Sequence, residues 1–266
     1  MMRAVVTDGS RRPAPAEQQS GNADYPWDDF DPQWYVEHNY RELRGDDRRI
    51  VQLVRDFFTS VAGPGEPFER GIDVGSGANL YPALAMLPFC RHLTLWERGA
   101  SNVRWLGTEV RGFSSMWDAY WEVLANRAAG PYGELDKPRE TLAARATVRP
   151  GNLFELRKAR WDLGTMFFVA ESISNQRREF KLATEKFIGS LRPGAPFAAA
   201  FMRHSPGYYV GPIRFPAVAV NQADVEHCLA PLVEELTITP VTAKQYLKEG
   251  YDGMILALGR VRRSKG

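Results

Sequence analysis

The stretch GIDVGSGANLY, residues 71–81, sets an acidic side chain, Asp73, at the end of a short apolar run. Two glycines around a serine follow, Gly75-Ser76-Gly77. Glycine lets a ligand lie against bare backbone, so the loop is a candidate nucleotide-binding turn. A dinucleotide fingerprint needs a third glycine for close helix packing, and Leu80 stands there. A phosphate loop needs Gly-Lys-Ser/Thr, which does not follow these glycines. Glu97 narrows the choice. It ends the run HLTLWE, 20 residues after Gly77, where a carboxylate can accept hydrogen bonds from both hydroxyls of a ribose. Asp73, Gly75, Gly77 and Glu97 together describe a pocket for an adenosine ribose beside uncrowded backbone. That pocket fits S-adenosyl-L-methionine better than a dinucleotide. Arg98, next in the chain, could meet a 2′-phosphate, which keeps a dehydrogenase as the runner-up. A further carboxylate, Glu171, closes the apolar run FFVA.

Alternating strands and helices must hold these residues. Apolar spacing of three and four predicts helices over 31–43 and 46–63, the second closed by Gly63-Pro64-Gly65. FERGIDVG reads as a buried strand, 81–87 as a helix and 92–97 as the next strand, a βαβ unit. A helical insertion follows over 113–128 and a polar linker over 130–140. Strands are expected at 146–154, 161–171 and 196–202, with an amphipathic helix from 176, ended by Arg192-Pro193-Gly194, between the last two. Residues 207–220 resemble a hairpin. Asn221 is placed to cap a helix over 221–232, and 233–241 with 253–261 make a final strand pair. The order implies an α/β fold, a mostly parallel Rossmann-like sheet covered on both faces with an antiparallel edge. We expect one domain over 25–262, opened by a helical lid at 25–62. The Pro-, Ser-, Gln- and Ala-rich residues 1–24 are expected to be a disordered tail.

Composition excludes several classes. With 44% hydrophobic and 25% charged residues the chain is of ordinary globular make-up. No apolar run approaches the roughly 20 residues that span a bilayer, and the first two dozen residues lack the apolar core of a secretory signal. A net charge of +2 gives no nucleic-acid footprint, and the terminal RVRRSKG reads as a solvated tail. Cys90 and Cys228 are too few for a disulfide framework, and His38, His92, His204 and His227 have no metal-ligand spacing. A reducing cytoplasm is the expected setting, with no metal, membrane or nucleic acid involved.

Three segments, WDDFDPQWYVEHNYRELRGD (27–46), DVGSGANLY (73–81) and ESIS (171–174), resemble the nicotinamide, phenylethanolamine and thioether N/S-methyltransferases. The resemblance runs from about residue 27 to about 260. It implies a seven-stranded sheet and methyl transfer from S-adenosylmethionine to a small amine or thioether. Tyr35 and Tyr40 match two tyrosines that fold over the cofactor's methionine end, where an aromatic face beside a sulfonium is worth about 0.5–2 kcal/mol. Trp27 stands where the family has a further tyrosine. Gly75 and Ser76 would present backbone to the cofactor, with Tyr81 a further contact; Ala78-Asn79 replaces the family's Pro-Thr. Glu97 takes the ribose-binding place, Asn102 matches an Asn in the next helix, and Asn152 would accept from the adenine amino group. Leu153 would wall the ring and Phe167 supply a backbone contact. On the acceptor side the resemblance implies Glu171, Asn39, Tyr208 and Tyr209, and Glu249 in KEGYDG, with Asp252 close by.

Displacement at a sulfonium methyl needs the acceptor's lone pair held in line more than it needs acid–base help. An amine must be neutral to attack, so Glu171 is the expected proton acceptor. The expectation is therefore a small-molecule N-methyltransferase, its acceptor a flat or aromatic amine. The alternatives are O-, S- or C-methylation of a metabolite, or a protein that binds the cofactor without catalysis.

Overall fold

Five runs bounded by turn residues become parallel strands, the central ones at 163–167 and 196–202 buried on both faces and the edge one at 146–150 largely exposed. They are β1 (Phe68–Val74), β2 (Cys90–Glu97), β3 (Ala146–Pro150), β4 (Leu163–Phe167) and β5 (Pro196–Met202). The hairpin β6 (Tyr208–Val210) and β7 (Ile213–Phe215) forms a separate small sheet, and β8 (Val233–Val241) and β9 (Met254–Val261) complete the large one. This computed structural model describes residues 20–62, 66–126, 130–242 and 252–263. The large sheet has seven strands in the order β3-β2-β1-β4-β5-β9-β8. Its antiparallel strand, β9, pairs with β5 and β8 at one end. The strand order reverses between β1 and β4, which are paired from Gly71 with Leu163 to Asp73 with Thr165. In such a sheet ligands bind beyond the carboxyl ends of the strands at that reversal.

The helices are α1 (Pro32–Asn39), α2 (Gly45–Ala62), α3 (Tyr81–Met86), α4 (Ala100–Glu109), α5 (Asp118–Ala125), α6 (Pro138–Arg145), α7 (Arg177–Ser190) and α8 (Gln222–Leu229). They cover the sheet in two layers. Alternation along β5 makes this visible: Ala198 and Ala200 enter the core under α2, α3 and α5, whereas Phe197, Ala199 and Phe201 enter the core under α7 and α8. Asn221 caps α8 as expected, accepting from the Asp224 N–H at 3.1 Å.

Several boundaries differ from the sequence reading. Residues 20–24, assigned to the tail, are held in place: the Ser20 N–H donates to Asn175 Oδ1 at 2.9 Å and the Asn22 N–H to Glu179 Oε2 at 2.7 Å. The first helix ends at Asn39 rather than 43. The linker 130–140 runs into α6, because Pro138 at the first helical position costs no intrahelical bond. The third strand stops at Pro150 rather than Phe154, since Asn152 caps a 3-10 turn by accepting from the Phe154 N–H at 3.1 Å. The fourth stops at Phe167 rather than 171, where Phe168 turns to φ 60°. Gly63-Pro64-Gly65 lies outside the described residues.

Candidate active site

The loop after β1 and the loop after β4 flank a cavity that opens to solvent. Gly75 and Gly77 both adopt positive φ, 67° and 55°, which only glycine takes without strain. They have different neighbours. A side chain at Gly75 would meet Val169 at 2.6 Å, so this glycine lets the loop pack on the segment that follows β4. A side chain at Gly77 would meet nothing nearer than 3.7 Å, so the backbone there faces open space.

Glu97 lines the cavity and is 7% exposed. Its Oε2 accepts the Gly77 N–H at 2.8 Å and its Oε1 the Gly99 N–H at 2.7 Å. Burial pushes its pKa up, against these two N–H groups that favour the carboxylate. Each oxygen keeps a second lone pair for a ligand hydroxyl. Around it stand buried polar atoms with no hydrogen-bond partner: Asn79 Nδ2, Arg98 Nη1, Ser101 Oγ and Asn102 Oδ1. An unpaired buried polar group costs about 1–3 kcal/mol, so these atoms fit a polar ligand. Asn79, Arg98, Asn102, Asn152 and Leu153 share the cavity wall with Ser76.

Asp73 stands behind the loop rather than on the wall. Its Oδ1 accepts the Thr165 hydroxyl at 2.7 Å, its Oδ2 has no partner, and burial raises its pKa to about 7. Tyr81 is also withdrawn: it is 1% exposed, stacks on Tyr120 at 5.4 Å and donates to Asp47 Oδ1 at 3.2 Å.

The opposite wall is aromatic. Tyr35, Tyr40 and Tyr208 line it with Trp27, Phe30, Phe167 and Phe168. Tyr35 meets Tyr40 at 5.9 Å and Tyr208 at 6.3 Å, both edge-on. Tyr208 stacks on Phe215 at 5.6 Å, and Trp27 stacks on the same ring at 5.1 Å. The N-terminal segment and the hairpin thus close on each other. Burial pushes the Tyr35 phenol up to about 12. Phe168 holds a left-handed φ of 60° while its N–H bonds the Ala200 carbonyl at 2.7 Å. Strain of this type in a bulky residue is a mark of functional sites.

Glu171 is completely buried behind this wall. Its Oε1 accepts the Met202 N–H at 2.8 Å, while Oε2 has no partner. Burial raises its pKa to about 7, and its charge in turn helps raise those of Tyr35 and Tyr208. A carboxyl so poised can exchange a proton near neutrality.

Other expected residues lie elsewhere. The Asn39 amide donates to the Tyr35 carbonyl at 2.8 Å within its own helix, and Asn39 faces a different cleft. Tyr209 is 60% exposed, because β6 alternates and Tyr208 takes the inward place. Asp252 pairs with Arg203 at 2.6 Å and His204 at 3.0 Å. Glu249 lies outside the described residues. Residues not anticipated on the wall include Asn22, Trp96, Gly151, Ser172 and Ile173. A glycine before Asn152 was the available signal, since a side chain at Gly151 would enter the Trp96 ring. Among the described residues no cluster of His, Cys, Asp and Glu could hold a metal, and no helix is long and apolar enough to cross a membrane.

No protein-family profile matches the chain, and no curated protein does. Solved structures do. The Burkholderia thailandensis 1,6-didemethyltoxoflavin-N1-methyltransferase, bound to 1,6-didemethyltoxoflavin and S-adenosylhomocysteine, is 13% identical with a TM-score of 0.54, covering 97% of this chain and 98% of its own. The N-methyltransferase NodS from Bradyrhizobium japonicum WM9, in complex with S-adenosylhomocysteine, is 14% identical with a TM-score of 0.52, covering 87% of this chain and 92% of its own. The [4+2]-cyclase SpnF is 13% identical with a TM-score of 0.51, covering 82% of each chain. These likenesses establish the fold. The chain has the Rossmann-like α/β architecture of these proteins, two of them methyltransferases and one a cyclase.

Proposed function

We propose that this protein is an S-adenosylmethionine-dependent methyltransferase acting on a small molecule, with an amine as acceptor. The observation that carries the reading is Glu97. Its carboxylate is held by the Gly77 and Gly99 N–H groups at the sheet's reversal point, among unpartnered donors. A carboxylate at that place accepts from the two hydroxyls of a ribose and repels a pyrophosphate. Neighbours of the same fold that carry S-adenosylhomocysteine support it by analogy.

In this reading Glu97 accepts from the ribose hydroxyls, with Asn102 beside it. Asn152 and Leu153 hold the adenine edge and face. Tyr35 and Tyr40 turn aromatic surface toward the methionine end, a place that favours a cation. When bound, the cofactor supplies an electrophilic methyl on a sulfonium. The chain's own contribution is positioning, which is worth up to about 7–11 kcal/mol. Tyr208 and Phe168 confine the acceptor. Glu171 does not line the cavity, so in this reading its Oε2 takes the proton of the acceptor nitrogen through an intervening water or hydroxyl rather than directly, and returns it to solvent. Trp27 and the strap 20–31 already cross the cavity mouth and would lie over a bound ligand.

Titration calorimetry with S-adenosylmethionine, repeated on Glu97→Ala and with NADPH, tests the reading. Binding that Glu97→Ala loses, with no heat from NADPH, supports it. Binding of NADPH, or of neither ligand, would falsify it. A panel of small amines then reports the acceptor.

A further inference from the structure

The N-terminal strap brings one polar side chain to the cavity. Asn22 lines it and is 3% exposed. Both backbone groups of Asn22 are committed. Its N–H donates to Glu179 Oε2 at 2.7 Å, and its carbonyl accepts the Trp27 indole N–H at 2.8 Å. The strap is fixed just before it as well. The Ser20 N–H donates to Asn175 Oδ1 at 2.9 Å, and a side chain at Gly21 would meet Glu179 Oε1 at 2.9 Å. The Asn22 side-chain amide, by contrast, makes no hydrogen bond to a described residue. A buried amide left unpaired costs about 1–3 kcal/mol. Its place on the wall suits a ligand that offers a donor and an acceptor together.

The packing shows which end of the cavity this is. Two cores meet there: Tyr40 and Phe167 belong to one, with Tyr35 and Phe168 packed on it, and Leu153, Val169 and Ile173 belong to the other. Asn22 is tied to Glu179, in the first turn of α7. That helix covers the second core through Phe180, Ala183 and Phe187, and it packs on the 3-10 turn Leu153–Glu155. Asn22 therefore stands on the Leu153 side of the cavity rather than with Tyr35 and Tyr40. Asn152, at the same end, already commits its Oδ1 to the Phe154 N–H at 3.1 Å.

On the methyltransferase reading this end receives the adenine, whose edge sets an amino donor beside a ring-nitrogen acceptor. An asparagine amide is the complement of that pair. We infer that Asn22 is a specificity-determining residue for the cofactor: its side-chain amide, carried in by the strap, hydrogen-bonds the amino-bearing edge of the adenine. The strap thereby reads the base that it covers.

The test is a ratio of affinities, which a role in strap packing alone would leave unchanged. Titration calorimetry of the full chain gives dissociation constants for S-adenosylhomocysteine and for its analogue with purine in place of adenine, which lacks only the amino group. Wild type should prefer S-adenosylhomocysteine by about tenfold or more, because a site built to hydrogen-bond a group rejects the analogue without it. In Asn22→Ala the preference should shrink by about three- to tenfold, S-adenosylhomocysteine losing affinity while the analogue keeps it. Asn22→Leu, of similar volume and without hydrogen-bonding groups, should do the same and decides the matter if the alanine variant does not fold. Equal weakening of the two ligands, or a preference that neither variant moves, overturns the inference. So does a wild type that binds the two ligands alike, which leaves the methyltransferase reading standing. A wild-type chain that binds neither removes that reading, and this inference with it.

Discussion

Glu97 Oε2 accepts the Gly77 N–H at 2.8 Å, so the end of β2 is fastened to the glycine loop that follows β1. One carboxylate thereby shapes the loop and keeps lone pairs for a ligand. Glu97→Ala removes both services. Charge-assisted hydrogen bonds are worth about 1.5–3 kcal/mol each, so losing the two to the ribose should weaken S-adenosylmethionine binding by about 10²–10⁴-fold. Glu97→Gln, which keeps one acceptor oxygen, should fall between wild type and alanine. Calorimetry that finds all three alike would remove Glu97 from the site.

Glu171 is expected to matter for turnover and little for cofactor affinity, because it lies behind the acceptor wall and away from the glycine loop. Glu171→Gln should lower kcat by about 10²–10⁴, the usual contribution of a positioned base. A base works only when ionised, so wild-type kcat should rise with pH through about 7 and level off above it. The variant should lose that limb. A pH profile of the same shape in both would assign the limb to the acceptor amine instead.

Local signals explain what could be read from the chain. The loop residues Gly75 and Gly77 and the strand-ending Glu97 are set by short-range rules of turn and strand, and the sheet follows from the alternation of elements. Tyr81 was misjudged because its fate depends on Asp47, 34 residues away and on another helix. Asn39 was misjudged because an amide late in a helix can bond a carbonyl one turn back, and nothing in its neighbours reveals that choice. Phe168 carries no sequence mark at all: its strain arises from β4 ending against β5.

Buried carboxyls make the unliganded protein sensitive to pH. Asp47, Asp73 and Glu171 have ordinary values of 3.8, 3.8 and 4.5, and burial raises each to about 7. Between those limits the folded chain holds protons that the unfolded chain has released. Stability is therefore fully present below about pH 4 and falls as pH rises through 7. Asp252 runs the other way, its pKa lowered by Arg203, but its effect lies at acid pH outside this window. Thermal melts from pH 5 to 8 should show a falling Tm, by about 2–4 °C for each kcal/mol lost. Asp73→Asn should flatten part of the slope. A wild-type Tm that is level over this range would contradict the burial of these groups.

Two glycines of one helix region should respond in opposite directions. Gly99 precedes α4 and donates its N–H to Glu97 Oε1 at 2.7 Å. A side chain there would meet the Trp27 carbonyl oxygen at 2.6 Å, where the N-terminal strap crosses the cavity mouth. The strap is also held by Asp28, which accepts the Ala100 N–H at 2.8 Å. Gly99→Ala must push this backbone aside, at a cost of about 1–3 kcal/mol as for other overpacked sites. It should also weaken cofactor binding, because Glu97 loses its setting. Gly107 lies within α4 with nothing inside 4 Å of an added side chain. Gly107→Ala should therefore stabilise the chain by about 0.4–1 kcal/mol through the unfolded state and leave binding unchanged. Denaturant unfolding and calorimetry on the two variants separate the effects. Equal stability changes at the two positions would show that the strap does not press on Gly99.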